Sequence, residues 1–327
     1  MNGVETMNKL DTVTFGEAMA MFVADELGEL QHVSRFTRRL AGAETNVAIG
    51  MARLGLRSGF VSRVGNDAFG QYIKNKLLSE KVNMDCIRTD EVNPTGFQLK
   101  SRIDDGDPEV QYFRKRSAAS HMGPGNLNRD YFLSSRHLHM TGIPLAISPS
   151  TREFALEALR LMKQAGRTIS FDPNLRPSLW SSREEMIAVT NAVACEADWV
   201  MPGIEEAELL IGTRDVNAIS DYYLQRGAKL VVIKLGPEGA YYRSQSEVGI
   251  AAGFKVAKVV DTVGAGDGFA VGLISGLLLG KPIVESVIRG NAIGAMAVQT
   301  YGDHEGYPEE AALASFLEHN KQGVICS

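Results

Sequence analysis

Segments typical of β-strands alternate with segments typical of α-helices along most of this 327-residue chain. The strand segments are short apolar runs, and the helical segments are longer and amphipathic. We predict strands at 11–15, 59–64, 137–141, 168–171, 198–201 and 230–234, and helices at 45–54, 67–80, 150–165, 183–193, 204–211, 216–226, 265–279, 283–300 and 308–319. Strands joined by helices form right-handed crossovers, so this pattern predicts an α/β fold with a mostly parallel sheet. Ligands of such sheets bind at the carboxyl ends of the strands.

Two segments interrupt the alternation. Residues 94–117 alternate polar and apolar side chains on both sides of an acidic turn at 104–107, which predicts a β-hairpin. Residues 20–40 also lack a helical pattern. Together the two segments predict a small sheet that projects from the main body. The alternative is an ordinary hairpin at the edge of the main sheet.

The segment 260–270 combines an anion site with a base. We predict a strand at 255–260 and a buried helix after Asp267, joined by the turn Gly264-Ala265-Gly266. Small residues at a helix start allow backbone N–H groups to converge on a phosphate, which the helix dipole also favours. Asp267 repels a phosphate but is well placed to take a proton from a hydroxyl group that attacks it. The alternative is that Asp267 only caps the helix.

The run Asp261-Thr262-Val263-Gly264-Ala265-Gly266-Asp267 resembles the signature of the ribokinase-like (PfkB) carbohydrate kinase family, and the chain has no Walker-type phosphate loop. The resemblance implies a ribokinase-like three-layer α/β sandwich with a mostly parallel central sheet and a small β lid. The core then comprises 10–17, 40–93 and 119–319, and the lid 18–39 and 94–118. It also implies that Gly264, Ala265 and Gly266 hold the γ-phosphate of ATP, and that Asp267 activates a sugar hydroxyl.

A second motif offers groups for a sugar. The run Ala41-Gly42-Ala43-Glu44-Thr45-Asn46 resembles the family's GGxxxN motif, with Ala41 in place of the first glycine. Gly42 lets a ligand approach the backbone, and Asn46 carries both donors and acceptors for hydroxyl groups. Taken alone, the run is also compatible with a capped helix start.

Two arginines favour an acidic sugar. Tyr112 and Arg114 lie on the return strand of the predicted hairpin, where alternation places them on one face with Arg116. Arg176 follows the predicted strand at 168–171. A guanidinium pairs bidentately with a carboxylate, and a neutral sugar needs no such partner. The alternatives are a solvated charge run at 114–116 and an Arg176 that faces phosphate.

The blocks around these arginines resemble the members of the family that phosphorylate 2-keto-3-deoxygluconate. This resemblance implies that a sugar acid is held by a set of polar and small residues: Gly42, Asn46, Tyr112, Arg114 and Arg176, with Gln98 and Asp303 as further candidates.

The nucleotide side is also predicted by resemblance. The segment 231–240 resembles the family's nucleotide-binding segment, and the implied cofactor-binding residues are Asn174, Lys234, Gly236, Gly239 and Asn291. Glu206 matches the glutamate of an NxxE motif that organises Mg²⁺ through water in the family, although Gly203 replaces its asparagine. Glutamates in a first helical turn also suit the helix dipole without a metal.

Composition limits the classes of partner. The net charge of −5 indicates neither a nucleic-acid nor a membrane partner. Three scattered cysteines, Cys86, Cys195 and Cys326, and a polar segment 1–11 without an apolar core predict a cytoplasmic protein without a signal peptide. The expected ligands are ATP with Mg²⁺ and a small sugar acid, and the lid implies a homo-oligomer. The rival functions are a fructokinase- or ribokinase-type kinase of a neutral sugar and a non-catalytic sugar or nucleotide sensor.

Overall fold

The computed structural model of the chain describes residues 9–103 and 108–320. The predicted acidic turn at 104–107, most of the polar segment 1–11 and Cys326 therefore lie outside the described residues. The strands, in chain order, are β1 Leu10–Phe15, β2 Met19–Leu27, β3 Phe36–Ala41, β4 Ser58–Gly65, β5 Ile87–Asp90, β6 Phe97–Arg102, β7 Val110–Phe113, β8 Ser135–Thr141, β9 Thr168–Asp172, β10 Trp199–Val200, β11 Leu230–Lys234, β12 Gly239–Ser244 and β13 Val248–Ala252.

The helices match the predicted pattern apart from end residues and two short additions before the predicted helix at 150–165. They are α1 Ala43–Arg53, α2 Ala68–Ser79, α3 Arg129–Leu133, α4 Ile143–Ile147, α5 Pro149–Gln164, α6 Arg183–Ala194, α7 Ile204–Ile211, α8 Val216–Leu224, α9 Ala265–Leu278, α10 Ile283–Ala297 and α11 Glu310–His319. None of the helices in the described residues is both long enough and apolar enough to cross a bilayer.

The main sheet has the strand order β13-β12-β11-β10-β9-β8-β1-β4-β5. Neighbours from β11 through β5 pair in parallel, whereas β12 and β13 pair antiparallel at one edge. The predicted mostly parallel sheet is therefore confirmed. Because these parallel strands run in one direction, their carboxyl ends meet along one edge of the sheet, where the loops carry the predicted site residues.

Both faces of this sheet are covered. Along β11, Val231 and Ile233 pack into one apolar cluster with α5, α6 and α8, and Leu230 and Val232 pack into another with α1, α9 and α10. A strand with apolar side chains on both faces is buried on both sides. This arrangement is the predicted three-layer α/β sandwich.

The second sheet has the order β3-β2-β6-β7. The predicted hairpin is confirmed, since β6 pairs antiparallel with β7, and β2 joins the hairpin to β3. The predicted alternation through Arg116 is wrong. Strand β7 ends at Phe113, and Arg116 lies in a left-handed turn with φ of 59°, so Arg114 and Arg116 do not share a strand face.

The predicted strand at 255–260 is also wrong. The edge of the main sheet is already reached at β13, and the chain must cross back from there to α9. The N–H groups of Val260 and Asp261 donate to the carbonyl oxygen of Val298, at the end of α10, instead of to a strand. The apolar side chains that suggested a strand face a cavity: Val256 and Val259 line it.

Arg53 connects the end of α1 to two other parts of the chain. Its guanidinium donates to both carboxylate oxygens of Glu80, at 2.9 Å each. The same group donates to the carbonyl oxygens of His304 and Tyr307, at 2.8 and 3.0 Å. Arg53 therefore fixes the loop 303–307, which packs against the amino terminus of α9.

We expect Glu80→Gln to lower the free energy of unfolding by about 1.5–3 kcal/mol at pH 7, because charge-assisted hydrogen bonds to a mostly buried guanidinium are weakened. The bonds from Arg53 lower the pKa of Glu80 from an ordinary 4.5 to about 2. The stabilisation is therefore complete above pH 4.5 and is lost as the pH falls towards 2.

Urea unfolding of both proteins at pH 7 and pH 3 measures this difference. The control is Glu196→Gln, which weakens an exposed pair with Lys163 and should change stability by less than about 1 kcal/mol. Equal effects of the two substitutions would contradict the role of Glu80.

Candidate active site

The turn Gly264-Ala265-Gly266 forms the amino terminus of α9, as the sequence predicted. Gly264 has φ of +83°, and a Cβ atom there would lie 1.8 Å from the carbonyl oxygen of Asp303, so the position requires glycine. The hydroxyl of Tyr307 donates a 2.5 Å hydrogen bond to the carbonyl oxygen of Gly264. The N–H of Ala265 donates to the carbonyl oxygen of Thr262 at 3.3 Å. The next two N–H groups, those of Gly266 and Asp267, have no such bond among the described residues, and that of Gly266 is the nearer to the turn as a donor to an anion.

Asp267 lies in the first turn of α9 and is held by two amide side chains. Nδ2 of Asn46, from α1, donates to one carboxylate oxygen at 2.8 Å. Nδ2 of Asn174, from the loop after β9, donates to the other at 3.0 Å. The capping residue of the helix is Gly264, so the alternative role of Asp267 as a helix cap is wrong.

The environment of Asp267 makes it a stronger base than an ordinary aspartate. Burial raises its pKa, and the Asn46 amide and the charges of Arg176 and Lys234 limit the rise. A base whose pKa lies closer to the working pH drives proton transfer more effectively. Because both carboxylate oxygens are held from outside the helix, the group also has a fixed orientation.

A polar cleft of about 580 Å³ opens in front of Asp267, between the carboxyl ends of the main-sheet strands and the second sheet. Most of the predicted substrate-binding residues line it, together with several predicted for the nucleotide and the metal: Gly42, Gln98, Tyr112, Arg114, Asn174, Arg176, Glu206, Lys234, Gly264, Gly266, Asp267 and Asp303. Asn46 is 1% exposed and reaches the cleft only through the carboxylate of Asp267. Its Nδ2 is used by Asp267, whereas its Oδ1 has no hydrogen-bond partner among the described residues, so the predicted sugar contact of Asn46 stays a prediction.

A second cavity, of about 450 Å³, lies beside the first. Its walls combine glycines with apolar side chains, and the predicted Gly236, Gly239, Ala265 and Asn291 are among them. The amide of Asn291 donates to the carbonyl oxygens of Ala251 and Ala252, at 2.9 and 3.2 Å, so it also ties α10 to β13. A largely apolar cavity of this kind suits a ring system.

The two cavities meet at the turn Gly264-Ala265-Gly266, the anion turn. Lys234 and Gly266 line both of them, and a Cβ atom on Gly266 would lie 3.6 Å from Nζ of Lys234. Lys234 forms a 2.7 Å ion pair with Asp172. Although burial works against its charged form, Asp172 and Glu206 raise the pKa of Lys234 above its ordinary value. A permanent positive charge therefore stands beside the Gly266 N–H, where a ligand that spans the two cavities would place an anion.

The cations of the cleft differ in how they are paired. Nε and Nη2 of Arg114 both contact Oε2 of Glu17, at 2.7 and 2.6 Å, so this charge is largely compensated within the protein. Arg176 donates to the carbonyl oxygen of Leu175 at 2.9 Å, and it forms no ion pair within 4.0 Å in the described part of the chain. Arg176 is therefore the guanidinium best able to pair with an anionic ligand.

Glu206 does not form a metal site by itself. Its two carboxylate oxygens accept the N–H groups of Leu175 and Gly203, at 2.7 and 2.8 Å, which holds the start of α7 against the loop after β9. Within 9–103 and 108–320, no three histidine, cysteine or acidic side chains are grouped to hold a metal ion. Mg²⁺ bound to phosphates keeps several water ligands. Glu206 lines the cleft and fits a contact to such an ion through water.

Sequence reasoning missed four buried charged side chains of the site. Glu17, Glu44, Lys100 and Asp172 all line the cleft. Burial raises the pKa of Glu44 to about 7, and the hydrogen bond from Thr141 limits the rise. A signal for Lys100 was present, because strand alternation places it on the same face as the predicted Gln98. Glu17 gave no signal, since it follows β1 in a short connection without a motif.

The comparisons with known proteins agree with this geometry. The model of the pfkB family carbohydrate kinases matches residues 9–310. The chain is 52% identical over 321 residues to 2-dehydro-3-deoxygluconokinase of Bacillus subtilis strain 168, covering 96% of this chain and 99% of that protein.

Solved structures show the same fold. The crystal structure of a PfkB protein from Polaromonas sp. JS666 superimposes with a TM-score of 0.88 at 49% identity, covering 94% of this chain and 99% of that one. A putative ribokinase II from E. coli, solved with ATP and Mg²⁺, gives a TM-score of 0.88 at 26% identity, covering 95% of this chain and 100% of that one. The chain belongs to the pfkB family of carbohydrate kinases.

Proposed function

We propose that the protein transfers the γ-phosphate of ATP to the terminal hydroxyl of 2-keto-3-deoxygluconate, giving 2-keto-3-deoxy-6-phosphogluconate. The observation that carries this proposal is the junction of the two cavities at Gly266 and Lys234, with the clamped Asp267 on the polar side. The apolar cavity suits the adenine ring, and the polar cleft suits a hydroxylated acid. The 52% identical Bacillus relative is named for the same sugar acid.

In the proposed reaction, Asp267 removes the proton from the attacking hydroxyl, and Asn46 and Asn174 keep its carboxylate aimed into the cleft. The Gly266 N–H and Lys234 stabilise charge on the transferring phosphate, where such preorganised groups act most strongly. Mg²⁺ carried by the phosphates would neutralise part of their charge, and Glu206 is the residue that would hold it through water. Asn291, Gly236 and Gly239 form the wall around the nucleotide.

Arg176 accounts for the preference for an acid. Its guanidinium lines the cleft without a carboxylate partner among the described residues, and a sugar carboxylate supplies one. Arg114, Tyr112, Gln98, Gly42 and Asp303 complete the sugar site. The paired state of Arg114 makes it a weaker recognition group than Arg176, although the sequence predicted that both arginines bind the acid.

We propose that the second sheet is the lid of this site, comprising 18–39 and 94–118, with 10–17, 40–93 and 119–319 as the core. Six of its residues line the cleft: Met19, Gln98, Lys100, Val110, Tyr112 and Arg114. Closure of such a lid excludes water, which would otherwise compete with the sugar for the phosphate.

We also propose a cytoplasmic location, which the free thiols of Cys86 and Cys195 support.

A homo-oligomer through the outer surface of the lid is the proposed assembly. Phe113 and Leu27 are 48% and 55% exposed, and Phe113 stacks on Phe97 at 4.6 Å. Exposed apolar side chains on a small sheet favour a second copy as partner. Light scattering gives the mass in solution, and a monomer mass would contradict this assembly.

We expect Asp267→Asn to lower kcat by about 10²–10⁴-fold, because a positioned general base contributes about that much. Binding of ATP, measured by calorimetry, should remain close to that of the wild type. Asp130→Asn, an exposed change on α3, is the control. Turnover near the wild-type value in Asp267→Asn would remove this residue from the role of base, and absence of any sugar-dependent ADP release in the wild type would favour the sensor.

The sugar is tested by kcat/KM for 2-keto-3-deoxygluconate, fructose and ribose. We expect the sugar acid to be preferred, and Arg176→Leu to raise its KM by about tenfold or more, since a charge-assisted hydrogen bond contributes about 1.5–3 kcal/mol. Arg183→Leu, an exposed change at the start of α6, is the control. A preference for fructose or ribose would refute the acid assignment. An increase in KM for ATP alone would assign Arg176 to the phosphates.

Lid closure should be visible by hydrogen exchange. We expect the amides of β7, at the edge of the second sheet, to gain protection when the sugar acid binds, because closure removes them from water. The amides of β9 in the core serve as the internal control. Equal protection of β7 with and without sugar would indicate a static edge hairpin.

A further inference from the structure

Lys100 places a buried positive charge beside the anion turn. It lies on β6 of the second sheet, and its side chain is only 2% exposed. Nζ lies 2.6 Å from Oδ2 of Asp261 and 3.7 Å from Oδ1 of Asp303. A buried lysine is rare unless its charge is paired, and the proposed chemical steps make no use of this one.

The two carboxylates that face Lys100 control the backbone around Gly264. Oδ1 of Asp261 accepts the N–H of Val263 at 3.1 Å, and its Oδ2 accepts the N–H of Gly302 at 3.2 Å. The carbonyl of Asp303 occupies the space where a side chain on Gly264 would lie. Asp261 and Asp303 therefore form the two walls that define the conformation of the anion turn.

The carboxylates of Asp261 and Asp303 repel each other unless a cation lies between them. Asp261 and Asp303 are both buried, at 5% exposure each, and like charges in a buried site are costly. Burial raises the pKa of Asp303 to about 7, and Lys100 limits the rise. Without the ammonium, Asp303 would take up a proton or the two segments would move apart, and either change would shift Gly264.

We propose that Lys100 is a positioning residue for phosphoryl transfer. Its ammonium bridges Asp261 and Asp303 and fixes the anion turn at the start of α9. Lys100 thereby connects the second sheet to the anion turn. This role deepens the proposed kinase function and rests on it. A bridge that served only stability would change the melting temperature and leave the turnover of the folded enzyme unaltered. The positioning role instead predicts that loss of the Lys100 charge lowers kcat.

The first test is Lys100→Met, which keeps the length of the side chain and removes the charge. We expect kcat to fall by about tenfold to a hundredfold, the effect of misplacing a reacting group by about 1 Å, while KM for ATP changes little and KM for the sugar changes less than kcat. Lys115→Met, on the exposed turn after β7, is the matched control and should retain wild-type kcat. A folded Lys100→Met with wild-type kcat would overturn the proposal.

Chemical rescue separates positioning from general damage. Lys100→Ala leaves a space lined by two carboxylates, so ammonium or methylammonium should restore part of the lost kcat. Tetramethylammonium, which has no N–H donor and is too large, should not. Equal responses to the three cations would refute the bridging role.

Lys100→Arg covers the case in which the neutral variants do not fold. It keeps the charge, but a planar guanidinium is larger than an ammonium and places its donors differently in this buried site, so we expect a lower kcat in the folded variant, measured well below its melting temperature. Unchanged kcat would overturn the proposal. Failure of the kinase function itself would appear as a wild type without turnover on any sugar. In that event, faster amide exchange at 261–264 in Lys100→Arg still supports the positioning role, and unchanged exchange refutes it.

Discussion

The carboxylate of Asp267, held between two amide side chains, is the interaction on which the rest of the site depends. Asn46 comes from α1, Asn174 from the loop after β9, and Asp267 from α9. Three elements that are far apart in sequence must therefore pack in the correct register before the base is aligned. Burial raises the pKa of Asp267, and the two amides together with Arg176 and Lys234 limit this rise because they stabilise the carboxylate anion.

The distribution of charge around this carboxylate explains how an acidic cleft can bind anions. Lys100, Arg114 and Lys234 each pair with a protein carboxylate. These charges therefore stabilise the walls of the polar cleft more than they attract ligands. Arg176 lacks such a partner among the described residues and is therefore available to pair with an anionic ligand. Under the proposed function, selectivity for an acid depends on Arg176, because a ligand without a carboxylate would leave this partly buried guanidinium without an ion-pair partner among the described residues.

Much of this arrangement was predictable from local patterns. The alternation of strands and helices predicted the sheet, and the Gly-Ala-Gly turn predicted the start of α9 and the place of Asp267. The prediction of a strand at 255–260 failed because apolar residues that line a ligand cavity resemble those that pack in a sheet. The extension of β7 through Arg116 failed because a left-handed turn depends on the surrounding contacts and leaves no mark in the alternation.

The sequence by itself determined the fold class, the turn before α9, the place of Asp267 and many of the residues that line the two cavities, since each depends on local composition and spacing. Only the tertiary structure decided how those groups are paired. Asn46 bonds to the base instead of reaching the cleft wall, Glu17 compensates Arg114, and Lys100 joins the second sheet to the anion turn. These pairings connect residues separated by 97 to 221 positions, and the free energy of a buried charge depends on which partner the fold brings within a few ångströms.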